Sequence, residues 1–196
     1  MNHSICADFG SIILKPLTHS DIEQLRLWRN DETISKYLRE IGHISAQQQE
    51  CWFENYLRNN TEIAWGIYDR DLSDEELIGS ISLYDICEQN STAVIGHFLI
   101  GSPQAHLRDI GRKSIVMTVK IGHDIINVSK YCATVHPDNI ASMKCFKKAG
   151  FKDLNRVITS VGQEKLLGTN AIDVRRFNDF YDDIVTFKTD KETDYE

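Results

Sequence analysis

Hydrophobic and polar positions along the chain change period repeatedly, which predicts alternating strands and helices. Short apolar or alternating runs predict strands at 11–17, 63–68, 77–84, 92–100, 131–135 and 154–161, with a partner for the last one ending near 174–177. Apolar residues at helical spacing predict helices at 20–30, 45–59, 112–127 and 139–149. The order predicts a single α/β domain with a mixed sheet of about seven strands flanked by about four helices.

Helix-end signals support these assignments. Ser20 or Asp21 is predicted to cap the first helix, and Ser45 followed by Gln48 predicts a capping box for the second. Asn139 can cap the last helix, and Gly150 can end it in the left-handed conformation.

Composition and charge narrow the class of protein. With 196 residues, 41% of them hydrophobic, the chain can bury an ordinary core. It has no apolar run long enough to span a bilayer, and residues 1–10 lack a signal-peptide pattern, so we expect a cytoplasmic protein without membrane contact. The five cysteines have no metal-ligand spacing, so we expect reduced thiols and no metal site.

Charge is distributed unevenly along the chain. The formal net charge is −7, and residues 178–196 hold seven acids and two lysines. Residues 104–148 hold eight bases and three acids, which suits a phosphate-bearing ligand or, alternatively, a solvated helix face. Overall acidity argues against duplex nucleic acid as a partner. We predict an N-terminal extension at 1–10, a domain at 11–177 and an acidic tail at 178–196 that frays beyond Thr189.

The segment 101–114 is a candidate phosphate-binding loop. A strand ends there, a loop containing Gly111 follows, and a basic helix begins. Helix N-termini present free N–H groups and the positive end of the helix dipole, which favours a phosphate. Taken alone, a glycine before a helix also fits a plain turn.

Two further motifs connect the chain to a known family. Asn139 and Ser142 are followed by KAGF at 148–151, and LWRN stands at 27–30 in the first helix. With these motifs and the strand 93–101, the sequence resembles the GCN5-related N-acetyltransferases (GNAT) over 12–177. Within them it is most similar to the branch of ribosomal-protein alanine, spermidine and nucleotide-amino-sugar acetyltransferases.

This resemblance implies acetyl-CoA as co-substrate, bound where strands 92–100 and 131–135 splay. Backbone groups of Phe98, Leu99 and Ile100 would then pair with the pantetheine amides. The family's pyrophosphate signature is matched at two of three fixed positions by Arg108-x-x-Gly111-x-Lys113. The residues implied to hold the pyrophosphate are Arg108, Asp109, Ile110, Gly111, Arg112, Lys113 and Ser114, and those implied along the rest of the cofactor are Asn139, Ser142, Phe146 and Lys148.

Three positions depart from the family pattern. Lys113 stands where Gly or Ala is usual, so its side chain either crowds the pyrophosphate or points away. The connection 103–111 is longer than usual. Phe146 stands where many members have a Tyr that protonates the departing thiolate, and a phenyl ring has no proton to donate.

On the acceptor side, His97 is the candidate general base. A carboxylate is common in related sequences near the position of Ile95, and it is missing here. Strand alternation predicts His97 on the same face as Ile95, and its ordinary pKa suits a base. The alternative is a packed histidine with both ring nitrogens satisfied. Candidate acceptor-binding residues are Trp28, Arg29, Asn30, Tyr84 and Asp85. Trp28 also fits a core position and Asp85 a solvated loop. Arg29 fits either a contact with an anionic acceptor group or an ion pair with a nearby acid.

The resulting expectation is an N-acetyltransferase that moves acetyl from acetyl-CoA to a primary amine by direct attack. The acceptor would be a small molecule, such as an amino sugar nucleotide or a polyamine, or a protein N-terminus. The protein would be a monomer or homodimer. Phe146, Lys113 and the missing carboxylate motivate an alternative, a non-catalytic acyl-CoA-binding or regulatory module of the same fold. A scaffold that acts through its acidic tail is a third possibility.

Overall fold

The computed structural model describes residues 3–38, 42–72, 76–105, 109–136 and 138–152, together with the backbone of strands at 157–160, 164–167, 172–173 and 186–189. The strands are β1 (Ile5–Phe9), β2 (Ile12–Pro16), β3 (Ile63–Asp69), β4 (Gly79–Cys87), β5 (Thr92–Ile100), β6 (Lys130–Cys132), β7 (Val157–Ser160), β8 (Glu164–Leu167), β9 (Ile172–Asp173) and β10 (Thr186–Thr189). The helices are α1 (His19–Asn30), α2 (Glu32–Ser35), α3 (Ala46–Leu57), α4 (Ile110–Asp124) and α5 (Ile140–Lys148).

Eight strands form one sheet in the order β10-β1-β2-β3-β4-β5-β6-β9. All neighbours run antiparallel except β5 and β6, which are parallel. The strands β7 and β8 form a separate antiparallel hairpin. The predicted α/β class with a mixed sheet is confirmed, and the strand predicted at 154–161 pairs with 164–167. Residues 174–177, where its partner was predicted to end, lie outside the described residues.

Each face of the sheet carries its own apolar cluster. On β3, Trp65 and Ile67 join the cluster formed with α4 and α5, whereas Ala64 and Tyr68 join the cluster formed with α1 and α3. Every residue of β3 is buried, as expected for a central strand covered on both sides. The sheet therefore lies between two pairs of helices, α4 and α5 on one face and α1 and α3 on the other. The outer parts of β4 and β5 are available to form a site.

The helix-end predictions are mostly confirmed. Ser45 and Gln48 form the predicted capping box of α3, and Asn139 caps α5. The first helix starts earlier than predicted, with Thr18 as N-cap. Asp21 closes that capping box from the third helical position, because its carboxylate accepts from the Thr18 backbone N–H at 2.8 Å.

Two strands fall outside the predicted domain 11–177. The strand β1 belongs to the predicted extension and β10 to the predicted acidic tail, yet they pair antiparallel, with Ile5 opposite Thr189. The predicted boundaries are wrong for these strands, and the main sheet has eight strands rather than about seven. The acidic charge of residues 178–196 indicated a solvated tail. A strand can nevertheless form there, because strand pairing needs only main-chain N–H and C=O groups. The residues beyond Thr189 lie outside the described residues.

Candidate active site

The two parallel strands separate partway along β5. The ladder between β5 and β6 ends at the pair Val94 and Cys132. On that side, the backbone of residues 98–100 has no strand partner among the described residues. The side chain of Leu99 is buried against α1 and α3, and Phe98 and Ile100 pack toward α4. An unpaired strand edge of this kind can accept an extended ligand with amide groups.

The N-terminus of α4 opens beside this edge. Asp109 is the N-cap residue with φ of +57°, and its side chain makes no capping hydrogen bond. Its carboxylate instead accepts from Arg112 Nε at 2.5 Å. The N–H groups at the start of α4 therefore have no side-chain cap from Asp109, and they present the positive end of the helix dipole. Arg108 lies outside the described residues.

The other side chains of this helix turn are engaged within the protein. The Lys113 ammonium lies 5.7 Å from the centroid of the Phe9 ring, so this side chain is directed toward β1. The Ser114 hydroxyl is buried and donates to the Ile110 carbonyl. Among the described residues of this turn, the backbone N–H groups of Ile110, Gly111 and Arg112 are therefore placed to meet a phosphate, whereas the Lys113 N–H already donates to the Asp109 carbonyl at 3.2 Å.

Gly111 is closely packed against α5 and β5. A Cβ at this position would lie 2.9 Å from Cys145 Sγ and 3.1 Å from Phe98 Cζ. The glycine thus lets α4 approach α5 and β5 closely, whatever ligand binds at the helix end. Burial, together with Asp109, raises the pKa of the Cys145 thiol against the opposing effect of Lys148.

The helix α5 is anchored at both ends. Asn139 Oδ1 accepts from the Ser142 backbone N–H at 3.0 Å, and Gly150 follows the helix with φ of +92°. Phe146 is buried, with its ring edge-on to Phe98 at 6.4 Å and to Phe151 at 5.0 Å. Phe146 is therefore a core residue beside the splayed strands, and Lys148 is exposed on the helix.

A β-bulge on β5 sets the direction of His97. Ser80 pairs with Leu99 and Ser82 pairs with Gly96, so Ile81 alone opposes two residues of β5. His97 has φ of +47°. This left-handed region costs about 1–3 kcal/mol for such a residue. The bulge turns His97 toward Ser82 on the α1/α3 side, whereas Ile95 is buried on the α4 side. The prediction that His97 shares a face with Ile95 is wrong, because the extra residue breaks the alternation.

The hydrogen bonds of His97 define which ring nitrogen carries the proton. Its Nδ1 lies 2.9 Å from Ser82 Oγ and 3.1 Å from Glu62 Oε1. The Ser82 hydroxyl donates to the Gly96 carbonyl at 3.3 Å. A carboxylate only accepts, so Nδ1–H is the donor to both groups. The remaining nitrogen, Nε2, makes no hydrogen bond to the described residues, and in the neutral imidazole it carries the lone pair.

Tyr84 supports the imidazole from one side. The two rings stack at 4.9 Å with an interplanar angle of 18°. Burial raises the pKa of the Tyr84 hydroxyl, as do the negative charges of Asp85 and Glu62, so this phenol stays neutral. Asp85 itself is exposed, with φ of +50°, and makes no cleft contact among the described residues.

His97 lies at the rim of a cleft between the sheet and the helices α1 and α3. Four aliphatic residues form part of its wall, and the others are Arg29, Gln49, Trp52, Ser80, Ser82 and His97. Arg29 is half-buried, and its guanidinium lies 6.0 Å from the centroid of the Trp52 ring. The cleft therefore brings a cation, an indole and an imidazole to one place.

Trp28 and Asn30 of the LWRN motif have structural contacts. Trp28 is buried, and a Cβ on Gly101 would overlap its ring. The Asn30 side chain donates to the Ile44 carbonyl at 2.9 Å and accepts from the Ile44 N–H at 2.8 Å. Of the three predicted acceptor-binding residues on α1, the structure brings Arg29 alone to the cleft.

A splayed strand pair beside an uncapped helix end matches the geometry expected from the sequence motifs. A model of the acetyltransferase (GNAT) domain matches residues 11–152, well over half of the chain. The chain belongs to the GNAT acetyltransferase family. The family resemblance inferred from the sequence is confirmed.

Relatives of this GNAT chain are distant. An uncharacterised protein of Methanocaldococcus jannaschii is 27% identical over 73% of this chain and 28% of its own length. The probable N-acetyltransferase YjcK of Bacillus subtilis is 32% identical over 50% of this chain and 53% of its own length. The chain thus spans about half or less of the length of these curated relatives.

The fold is shared with solved acetyltransferase structures. Spermidine N-acetyltransferase from Vibrio cholerae, in complex with CoA and spermine, superposes with a TM-score of 0.72 at 17% identity. The match covers 90% of this chain and 99% of that one. At this identity the similarity shows the GNAT fold alone. None of the described helices is both long and apolar enough to cross a membrane.

Sequence reasoning missed two residues of the GNAT site. Glu62 directly precedes β3, and Ser82 lies on β4, yet both contact His97 on β5. Their meeting depends on the register of three strands and on the bulge. One available signal was the alternation of Ser80, Ser82 and Tyr84 in an otherwise apolar strand, which places three polar groups on one face.

Proposed function

We propose that this chain is an acetyl-CoA-dependent N-acetyltransferase in which His97 is the general base. The acceptor is a primary amine, of a small molecule or of a protein N-terminus. The observation that carries this proposal is the state of the imidazole. Its Nδ1–H donates to Glu62 and Ser82, so the neutral ring has its lone pair on Nε2, and the residue lines the cleft.

The cofactor would lie along residues whose backbone groups suit it. The amine nitrogen would bond to the thioester carbonyl carbon and the C–S bond would break, and the departing CoA thiolate would take its proton from water, since Phe146 has none to donate. The unpaired edge of residues 98–100 would bind the pantetheine amides, and the first N–H groups of α4 would bind the pyrophosphate. A backbone N–H of this strand edge would also stabilise the negative oxygen that develops during attack.

His97 acts on the acceptor nitrogen. An alkylamine is mostly protonated at neutral pH, since its pKa is about 10, and attack requires a neutral nitrogen. Nε2 takes that proton, and the Glu62 carboxylate, 3.1 Å from Nδ1, stabilises the imidazolium that results. Glu62 is a positioning residue, because it acts through the ring and fixes the tautomer.

The experiment compares His97→Gln and Glu62→Gln with the wild type. General-base catalysis contributes about 10²–10⁴-fold, so His97→Gln lowers kcat by at least about 100-fold with unchanged acetyl-CoA affinity in calorimetry. Glu62→Gln lowers kcat less. It also shifts the ¹⁵N spectrum of His97 toward a mixture of tautomers, which a merely structural role would not do. His123→Gln is the matched control, since this histidine contacts Asp124 on α4, away from the cleft.

Two results would contradict the proposal. Wild-type kcat in His97→Gln would exclude His97 as the base. Saturable acetyl-CoA binding without thiol release for any amine would favour the non-catalytic acyl-CoA-binding module.

A further inference from the structure

We propose that the amine acceptor also carries an oxyanion, a carboxylate or a phosphate, and that Arg29 binds it. This inference rests on the proposed function and specifies its substrate class. The amine end of the acceptor meets His97, and the anionic end meets Arg29 in the same cleft.

The charge of the cleft is the first argument. Among the ten described residues that line it, Arg29 is the only one with a permanent charge, and none is a carboxylate. The nearby carboxylate of Glu62 accepts from His97 Nδ1 rather than lining the cleft. A polyamine entering this space would meet a like charge and no carboxylate partner among those residues, so the cleft disfavours a polycation.

The second argument is the unused hydrogen-bonding capacity of Arg29. A guanidinium has five N–H donors, and Arg29 makes no hydrogen bond or ion pair with the described residues. Burial lowers its pKa, and the negative Glu62 opposes that effect. A half-buried cation without a paired anion is costly, and an oxyanion ligand would remove that cost through two parallel charge-assisted hydrogen bonds.

A neighbouring arginine shows the contrast. Arg26 lies three residues earlier on α1, and its Nε donates to Glu23 at 2.8 Å. Its guanidinium also donates to the Ile44 carbonyl at 3.2 Å. The donors of Arg26 are thus engaged by the protein, whereas Arg29 lines the cleft and makes no hydrogen bond with the described residues.

The third argument is the rigidity of the wall beside Arg29. Trp52 stacks on Tyr56 at 5.6 Å with an interplanar angle of 16°, and Tyr56 is held by hydrogen bonds to Ala64. The fixed indole offers an apolar surface for the carbon skeleton between the two polar ends of the acceptor. It also limits the positions that the guanidinium can adopt, which favours a defined anion position.

The test uses acceptors that differ only in the anion. Thiol release is measured with ethanolamine against O-phosphoethanolamine, glucosamine against glucosamine 6-phosphate, and propylamine against β-alanine, with spermidine as the polycation. The expected result is at least a tenfold higher kcat/KM for the anionic member of one or more pairs, with spermidine poorest. The pair that responds identifies phosphate or carboxylate as the bound group.

Variants then assign the preference to Arg29. Arg29→Gln should abolish it by raising KM for the anionic member at least tenfold more than KM for the matched neutral amine. Arg29→Lys should retain only part of the preference for anionic acceptors, because an ammonium keeps the positive charge but cannot bind bidentately. Arg70→Gln is the control, since Arg70 follows β3, forms its ion pair with Asp8 and lies outside the cleft.

Failure of this inference is distinguishable from failure of the proposed function. Turnover of neutral amines or spermidine as fast as of anionic amines, or a preference that survives Arg29→Gln, would overturn the anion site and leave the acetyltransferase intact. If no amine is acetylated, the proposed function fails. Calorimetry with CoA-loaded protein then decides the anion site: equal affinity for O-phosphoethanolamine and ethanolamine, or an unchanged preference in Arg29→Gln, overturns it.

Discussion

Gly111 offers a direct test of whether packing or ligand binding requires a glycine at the start of α4. A Cβ there would lie 2.9 Å from Cys145 Sγ and 3.1 Å from Phe98 Cζ. Gly111→Ala therefore forces a methyl group against the thiol. Cys145→Ala removes that thiol, so the two changes together should place the new methyl in the vacated space.

The magnitudes follow from three effects. Overpacking costs about 1–3 kcal/mol, and replacing glycine by alanine within a helix returns about 0.5–1 kcal/mol, so Gly111→Ala should destabilise by up to about 2.5 kcal/mol. Losing the half-buried Cys145 sulfur costs about 1 kcal/mol, close to one buried methylene. In the double variant the overlap with Sγ disappears and only the 3.1 Å approach to Phe98 Cζ remains, so it should be more stable than the sum of the singles by about 1 kcal/mol.

Urea unfolding of the wild type, the two single variants and the double variant measures the coupling free energy between positions 111 and 145. Calorimetry measures the acetyl-CoA affinity of the same four proteins. Near wild-type affinity in the double variant would show that packing alone requires the glycine. Additivity of the two changes within about 0.5 kcal/mol would refute the contact argument. A double variant that regains stability but not affinity would show that the ligand also needs the bare backbone.

Three further results are expected. Gly101→Ala should destabilise by about 2 kcal/mol or more in urea unfolding, because the added methyl group overpacks the core. Its Cβ would overlap the buried Trp28 ring, and a stability equal to that of the wild type would contradict this packing. Asn30→Ala should lower the free energy of unfolding by about 1–3 kcal/mol, because its hydrogen bonds to Ile44 are lost, and KM for the acceptor should stay unchanged. A selective increase in KM would instead show that Asn30 binds the acceptor. Burial lowers the pKa of His3, so the folded state binds its proton less readily than the unfolded chain. Stability should therefore fall as pH drops below about 6.5, the ordinary pKa of histidine. In thermal unfolding, the wild type should lose stability more steeply with falling pH than His3→Gln does. Parallel pH profiles for the two proteins would argue against a role of His3 in this fall.

The start and end of α5 illustrate what local sequence can predict. Asn139, Ser142 and Gly150 interact within a few residues of one another, so the cap and the helix end were readable directly. The same holds for Ser45 and Gln48. Family motifs extended this to the proposed position of the cofactor, because they mark the splayed strands and the start of α4.

The environments of Lys113 and Gly111 could not be predicted from the local sequence. The sequence left open whether Lys113 crowds a phosphate, and the structure directs it toward Phe9 on β1. Gly111 fitted a phosphate loop, but its closest neighbours are Cys145 and Phe98. Both outcomes depend on how helices pack against distant strands, which residue spacing does not encode.

By itself, the sequence determined the alternation of elements, the helix ends, the family and His97 as a candidate base. Those features depend on local periodicity, capping and short motifs. Only the tertiary structure decided the direction in which His97 points and its contacts with Glu62 and Ser82, because one bulged residue on β5 reverses the face of a side chain. It also placed Arg29 in the cleft and Asn30 in a structural contact, since adjacent helix positions face about 100° apart and only packing decides which one meets the site.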